Sequence, residues 1–313
     1  MIPSDHPIRA CRVCLQETKQ PADCHPSCVK TLFNTSSLPT MDIDLSDINE
    51  MAQKMIGRMS ISGVQQKVLV SLSADRKRIE FSPAGGRYIL KPPISTFPEI
   101  PANEHVTMRM AQLVGIETPP CGLLELKDGN LAYIIARFDR NNDGTKLQQE
   151  DFCQLAEFPP SKKYDGSAEL CVRLLRQFAS EPPLSILALY RLLLFNWCVG
   201  NGDLHLKNLS LLTTTDGIRR LSPAYELVNT KLVIPDDQLA LPIAGKRSNL
   251  RREDWIEFGR YCQIPKRAIE RVISTQTGAM DEMHGALRNS FLSTPLKARY
   301  LEIVRENLAA MAA

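Results

Sequence analysis

Nowhere does this 313-residue sequence approach the roughly 20 uninterrupted apolar residues that cross a bilayer, and its N-terminus carries no apolar core of the secretory type. A cytoplasmic protein without a membrane partner is the expectation. An excess of one charge is missing too: 38 Lys and Arg against 35 Asp and Glu leave +3, which makes no case for direct nucleic-acid binding. Internal repeats and low-complexity tracts are lacking. The nine cysteines are an odd number in a chain without an export signal, so a disulfide framework is not expected. What is present is 43% hydrophobic residues, enough to bury a sizeable core as one two-lobed domain or two small ones.

The most informative run is Asn201-Gly202-Asp203-Leu204-His205-Leu206-Lys207-Asn208, which sets a carboxylate and a carboxamide five residues apart beyond a long apolar segment. That is the spacing of a kinase catalytic loop. Phosphoryl transfer needs one side chain to orient the attacking hydroxyl and another to hold Mg²⁺ on the nucleotide phosphates, roles that suit Asp203 and Asn208. Taken alone, the run also reads as an ordinary polar turn.

A second segment lies upstream. Arg58-Met59-Ser60-Ile61-Ser62-Gly63-Val64-Gln65-Gln66-Lys67 is a small-residue turn before the apolar strand Val68-Leu69-Val70-Ser71-Leu72. A loop of serine and glycine leaves backbone amides free to approach phosphate oxygens. Two further short strands follow, and the second ends on Lys91, where a kinase lysine would grip nucleotide phosphates. As a lysine closing a strand, Lys91 is expected to contribute little packing. Loop, lysine and Asp/Asn pair thus stand in kinase order.

These segments resemble the HipA family of bacterial serine/threonine kinase toxins, and within it the short HipT type. The matching stretches are Met59-Ser60-Ile61-Ser62-Gly63, Ile89-Leu90-Lys91-Pro92, Phe97-Pro98-Glu99, Ala102-Asn103-Glu104-His105, Arg137-Phe138-Asp139-Arg140, Asp203 to Asn208 and Ser222-Pro223-Ala224-Tyr225-Glu226. The resemblance implies an α+β, two-lobed, protein-kinase-like fold with a strand-rich N-lobe and a helical C-lobe. It implies ATP and Mg²⁺ as cofactors, with Lys91, Asp203 and Asn208 catalytic and Asn208 and Glu226 on the metal. Nucleotide contacts fall to Ser62, Gly63, Val64, Gln65, Gln66, Lys67, Lys91, Ala136, Arg137, Phe138, His205, Tyr225 and Glu226, with Ala136 serving through its backbone and Phe138 covering the purine. Ser60 and Ser62 are the implied autophosphorylation sites.

Glu226 departs from the family, which has Asp as its second metal ligand there. The extra methylene suits octahedral Mg²⁺ less well. Implied partners are a HipS-like small protein, a HipB-like DNA-binding antitoxin and a protein substrate of the aminoacyl-tRNA synthetase kind. Full-length family members carry an N-terminal β-rich subdomain; a short cysteine segment stands in its place here.

Cys11, Cys14, Cys24 and Cys28 in that segment read C-x2-C-x9-C-x3-C, with His25 alongside. By spacing they can chelate zinc, Cys24 or His25 serving with Cys28, whereas the resemblance argues for ordinary thiols.

The expected organisation is a cysteine-containing extension and linker over 1–40, an N-lobe over 41–140 and a helical C-lobe over 141–313. Within it, helices are expected at 45–56 and 101–114, the second placing Glu104, Met108, Ala111 and Leu113 inside and Glu104 opposite Lys91. A hairpin is expected around Lys127-Asp128-Gly129-Asn130, a buried helix from Leu184 to Val199, and a second hairpin around Thr213 to Gly217. Three functions fit: a HipT-like protein kinase toxin; a small-molecule kinase, since the Asp203 run also resembles aminoglycoside and choline kinases; and a catalytically weak nucleotide-binding subunit, which Glu226 permits.

Overall fold

The computed structural model describes residues 9–19, 24–55, 66–82, 85–141 and 143–312. They fold into two compact units, neither of them contiguous in sequence: Met1–Arg109, Pro119–Gly144 and Ala286–Lys297 make the first, and Met110–Thr118, Thr145–Gly285 and Ala298–Ala313 the second.

The first unit is built on an antiparallel sheet of five strands, β1 (Val68–Leu72), β2 (Ile79–Phe81), β3 (Tyr88–Lys91), β4 (Cys121–Glu125) and β5 (Leu131–Ala136), in the order β2-β1-β3-β5-β4. Alternation along the strands sends Val68, Val70, Tyr88, Leu90, Ala132 and Ile134 to one apolar core. Three helices belong here in whole or part: α1 (Pro26–Phe33), α2 (Leu45–Met55) and α3 (Ile100–Leu113). The expected extension is no appendage, because Cys11, Val13, Val29, Leu32 and Phe33 pack into that same core. Nor is the expected linker loose: Thr40 pairs with Arg78 beside β2 and accepts the Ile79 N–H.

α3 buries Glu104, Met108 and Ala111 as expected, but Leu113 is exposed. α3 is buried on nearly every side, Val106 and Met110 included, and Leu113 is exposed as its last residue.

The second unit is mainly helical: α4 (Phe152–Leu155), α5 (Ala168–Phe178), α6 (Pro182–Cys198), α7 (Arg252–Tyr261), α8 (Lys266–Gly278), and the parts of α9 (Met280–Arg288) and α10 (Thr294–Ala312) that fall within it. A small antiparallel sheet of β6 (Gln149–Asp151), β7 (Ser210–Thr213) and β8 (Arg219–Leu221) completes it. α6 opens on Pro182 and Pro183, which fit a first turn whose N–H groups have no helical acceptor. From Ser185 to Cys198 nearly every residue is buried, so α6 is the axis of this unit and fixes where the following loop starts. Among the described residues no helix is long and apolar enough to cross a membrane.

Candidate active site

In the first unit, β3 ends on Lys91 and α3 presents Glu104 to it. Lys91 Nζ donates to Glu104 Oε1 at 2.6 Å, and both side chains are almost fully buried, 4% and 1% exposed. The Tyr133 ring lies 5.6 Å from the ammonium. This corrects the expectation that Lys91 contributes little packing: two charges removed from water are tolerable only as a pair. Gln66 and Lys67 stand half-buried just before β1. Ser60, Ser62, Gly63, Val64 and Gln65 lie outside the described residues.

At the end of β5, the Ala136 N–H donates to the Pro120 carbonyl and the Arg137 N–H to that of Arg87. The Arg137 guanidinium grips both oxygens of Asp139, at 2.9 and 2.7 Å, and Arg140 adds a third bond at 2.8 Å. Burial alone would raise the Asp139 carboxyl; the two guanidinium groups outweigh it and hold the carboxyl below the usual carboxylate range. Arg137 is thereby fixed on Asp139, and Phe138 beside it is half-buried.

In the second unit, the loop after α6 is tied down residue by residue. Asn196, on the last turn of α6, donates to the Leu192 carbonyl and accepts from Asn201 Nδ2, and Asn201 Oδ1 accepts the Asp203 N–H. Gly202 N–H donates to Thr230 Oγ1 at 2.7 Å, and Thr230 donates to Asp237. A Cβ on Gly202 would overlap the Asp237 carboxylate, so only glycine permits this approach.

Asp203 and Asn208 are joined directly, Asn208 Nδ2 donating to the Asp203 carbonyl at 3.0 Å. That bond fixes which end of the amide is the donor and leaves Oδ1 as the acceptor end. Tyr164 Oη donates to Asp203 Oδ1 at 2.6 Å, and its ring meets the edge of His205 at a centroid distance of 5.1 Å. Burial pushes His205 below the usual imidazole range, with Asp203 acting against it, so the ring is favoured neutral. Lys207 pairs with Asp151 at 2.7 Å, and Tyr225, pushed up by burial, donates to the Lys207 carbonyl. Glu226 follows in left-handed backbone, φ 58°, which costs a residue other than glycine of order 1–2 kcal/mol.

Several of these supports escaped the sequence reading. Tyr164 lies in a turn with no motif around it. Asp151 carried a signal, since Asp151-x-x-Gln154 is a helix capping box, here formed at α4. The Thr230–Asp237 pair left none.

The N-terminal cysteines also converge. Ligand atoms of Cys11, Cys14, His25 and Cys28 all lie within 4.8 Å of one another, His25 entering where the spacing equally allowed Cys24.

A family model described as the HipA-like C-terminal domain matches residues 59–283. The chain belongs to this family. Among curated relatives, two proteins of Sinorhizobium fredii provisionally named kinases Y4mE and Y4dM are 33% and 34% identical over 69% and 79% of this chain, and over 54% and 63% of their own lengths. The chain thus spans between half and two thirds of those relatives. The serine/threonine-protein kinase toxin HipA of Shewanella oneidensis is 27% identical over 59% of this chain and 47% of its own. Among solved structures, the Shewanella oneidensis HipA, HipB and operator DNA complex contains a chain that superposes with a TM-score of 0.68, at 21% identity over 85% of this chain and 71% of that one. The Helicobacter pylori proinflammatory kinase CtkA gives 0.52 at 15% identity, over 72% and 87%. At these identities the structural matches establish the fold alone, an α+β fold of the HipA-like kinase type.

Proposed function

We propose that the chain is an ATP-dependent serine/threonine protein kinase. The observation that carries this reading is the Asp203–Asn208 pair, a carboxylate and a carboxamide on one loop whose backbone carbonyl at Asp203 accepts from Asn208 Nδ2. In this reading Asp203 orients and accepts the proton of the substrate hydroxyl, and Tyr164 keeps its carboxylate in one rotamer. In the same reading Asn208 Oδ1 and the Glu226 carboxylate would be the protein's metal ligands, oxygen donors of the kind a hard divalent cation takes. Mg²⁺ bound there would neutralise the nucleotide phosphates during transfer. By the family resemblance Lys91, held by Glu104, would supply a cation for nucleotide phosphates, and Ala136 and Phe138 would receive the adenine. The hydrogen bond from Tyr164 to Asp203 argues against a subunit without catalysis, because a mere nucleotide binder needs no carboxylate ordered at the position of the base.

Incubation of the purified chain with radiolabelled ATP and Mg²⁺, with no added substrate, tests the reading. Label should appear on the chain and fall by about 10³-fold or more in Asp203→Asn and in Asn208→Ala, since a base and a metal ligand each contribute several kcal/mol at the transition state. An Asp203→Asn protein with full activity would overturn it.

The finer features rest on the family resemblance. Ser60 and Ser62 are the proposed acceptors, and intact mass should show increments that disappear in a Ser60→Ala, Ser62→Ala double variant. A toxin role in the cytoplasm, a HipB-like DNA-binding antitoxin and a HipS-like small protein as partners, and an aminoacyl-tRNA synthetase as target belong to the same proposal. It is supported by a structural match whose own complex holds HipB and operator DNA. Co-purification with the two small proteins is its test.

A further inference from the structure

The kinase reading leaves the N-terminal segment unused, although four of its side chains converge as ligands do. Residues 10–17 form a tight hairpin: Ala10 bridges Glu17, Cys11 N–H donates to the Gln16 carbonyl, and Leu15 N–H returns to the Cys11 carbonyl with Leu15 at φ 61°. Cys11 and Cys14 stand on its turn, and the Cys11 sulfur accepts the Val13 N–H at 3.4 Å. The other two ligands come from the start of α1, where His25 is the N-cap residue and Cys28 lies in the first turn. His25 Nδ1 is 3.3 Å from Cys14 Sγ and 4.0 Å from Cys28 Sγ. A tetrahedral zinc with Zn–S of about 2.3 Å and Zn–N of about 2.0 Å spaces sulfur from nitrogen by roughly 3.5 Å and sulfur from sulfur by roughly 3.8 Å.

The second observation concerns the histidine itself. His25 Nε2 lies 3.2 Å from the Glu17 carbonyl, which can only accept. The proton therefore sits on Nε2, and the lone pair of Nδ1 points among the thiols. A metal-bound imidazole shows this arrangement, its far N–H anchored to an acceptor.

We propose that Cys11, Cys14, Cys28 and His25 Nδ1 bind one zinc ion that clamps the hairpin to α1. Three thiolates and an imidazole select zinc over hard cations, which take oxygen ligands. Cys24 is not among the four residues whose ligand atoms are mutually close. The clamped hairpin is part of the first unit's scaffold. Arg12 carbonyl accepts the Leu123 N–H of β4 at 2.8 Å, and a Cβ on Gly122 would come within 2.9 Å of that same oxygen, so the segment lies directly on the strand. The Val13 carbonyl accepts from His105 Nε2 at 3.0 Å, on α3 one residue after Glu104. Zinc thus braces the helix that presents Glu104 to Lys91.

The assignment is independent of the kinase reading, and metal analysis of the full chain purified under reducing conditions tests it. About one zinc per chain is expected, released by a mercurial reagent with a fall in thermal midpoint. Cys14→Ser and Cys28→Ser should lose the metal, His25→Ala should lose it or bind it far more weakly, and Cys24→Ser should retain it. Should the serine variants fail to fold, cobalt substitution of the wild-type chain decides, since thiolate-to-cobalt charge transfer with intense tetrahedral d–d bands is expected. A reduced wild-type chain that is metal-free and takes up neither zinc nor cobalt overturns the proposal, as does a disulfide among these cysteines. Loss of zinc in Cys24→Ser with retention in His25→Ala overturns the assignment of His25.

Discussion

Tyr164 Oη donates a 2.6 Å hydrogen bond to Oδ1 of Asp203. Burial, and then the neighbouring carboxylate, push the Tyr164 phenol above its ordinary range, so it is a protonated donor across physiological pH. One oxygen of Asp203 is thereby tied to a fixed donor, and the carboxylate is held in a single rotamer.

Tyr164→Phe removes only that hydroxyl. The turnover number should fall up to about tenfold while KM for ATP stays level, because the bond orients the base and makes no contact with nucleotide. A hydrogen bond to a charged group contributes about 1.5–3 kcal/mol when buried, and partial exposure of Tyr164 reduces this. Steady-state kinetics checks it; a rise in KM with unchanged turnover would assign Tyr164 to binding instead.

Lys91→Ala should be costly to the fold as well as to phosphate binding. It removes the ammonium that donates to Glu104, 1% exposed, and breaking a buried pair from one side costs about 3–5 kcal/mol. The thermal midpoint should drop by several degrees. A Lys91→Met, Glu104→Leu double variant should recover most of that loss and none of the activity, which separates the structural from the catalytic contribution of the pair.

Glu226→Asp should maintain or raise kinase activity. Aspartate tolerates left-handed backbone better than glutamate and presents its carboxylate on a shorter arm. A gain of up to about 1 kcal/mol in stability is expected alongside. A collapse of activity, read in the radiolabel assay, would mean that the neighbouring side chains are arranged around the longer acid.

How much of this was legible depended on whether a residue acts through its neighbours in sequence or through distant ones. The strands at Val68, Tyr88 and Leu131, the turn at Asp128-Gly129 and the apolar α6 are local patterns, and each forms where its pattern lies. The spacing of Asp203 and Asn208 was equally local. β6 was missed because Gln149–Asp151 is a polar three-residue strand that exists only by pairing with β7. Tyr164 was missed because it meets Asp203 across 39 residues of chain. The helix pattern already set Glu104 opposite Lys91, but the depth of that pair depends on packing around both elements, which no local pattern records. His25 was visible as a candidate, but only its place among the three thiols and its bond to Glu17 rank it above Cys24.

Stability should rise with pH between about 4 and 6.5 through His105. Burial pushes this imidazole down to about 4, against an ordinary value of 6.5. Between those values the unfolded chain takes up a proton that the folded chain refuses, so acid favours unfolding; above 6.5 neither form is protonated and the penalty is absent. The full effect is about 3 kcal/mol. Thermal midpoints of wild type and His105→Gln, measured from pH 4 to 8, should converge toward the acid end, because the variant lacks this titration. Parallel curves would place the pH dependence elsewhere.

The discontinuity of the first unit sets an order in time. Asn289 donates to the Leu15 carbonyl, and Ser293 N–H donates to Glu99, so the stretch Ala286–Lys297 closes a unit that begins at the other end of the chain. During synthesis the second unit's core, α5 to α8, leaves the ribosome before the first unit receives its last segment. At translation rates of about 5–20 residues per second, the unit that holds Lys91 and Glu104 is complete only once Ala286–Lys297 has been made and has docked. A fragment ending where the family match ends, at residue 283, would lack that closing segment and leave the Leu15 carbonyl and Glu99 without these donors. A chain stalled short of residue 286 should therefore lack the activity proposed above.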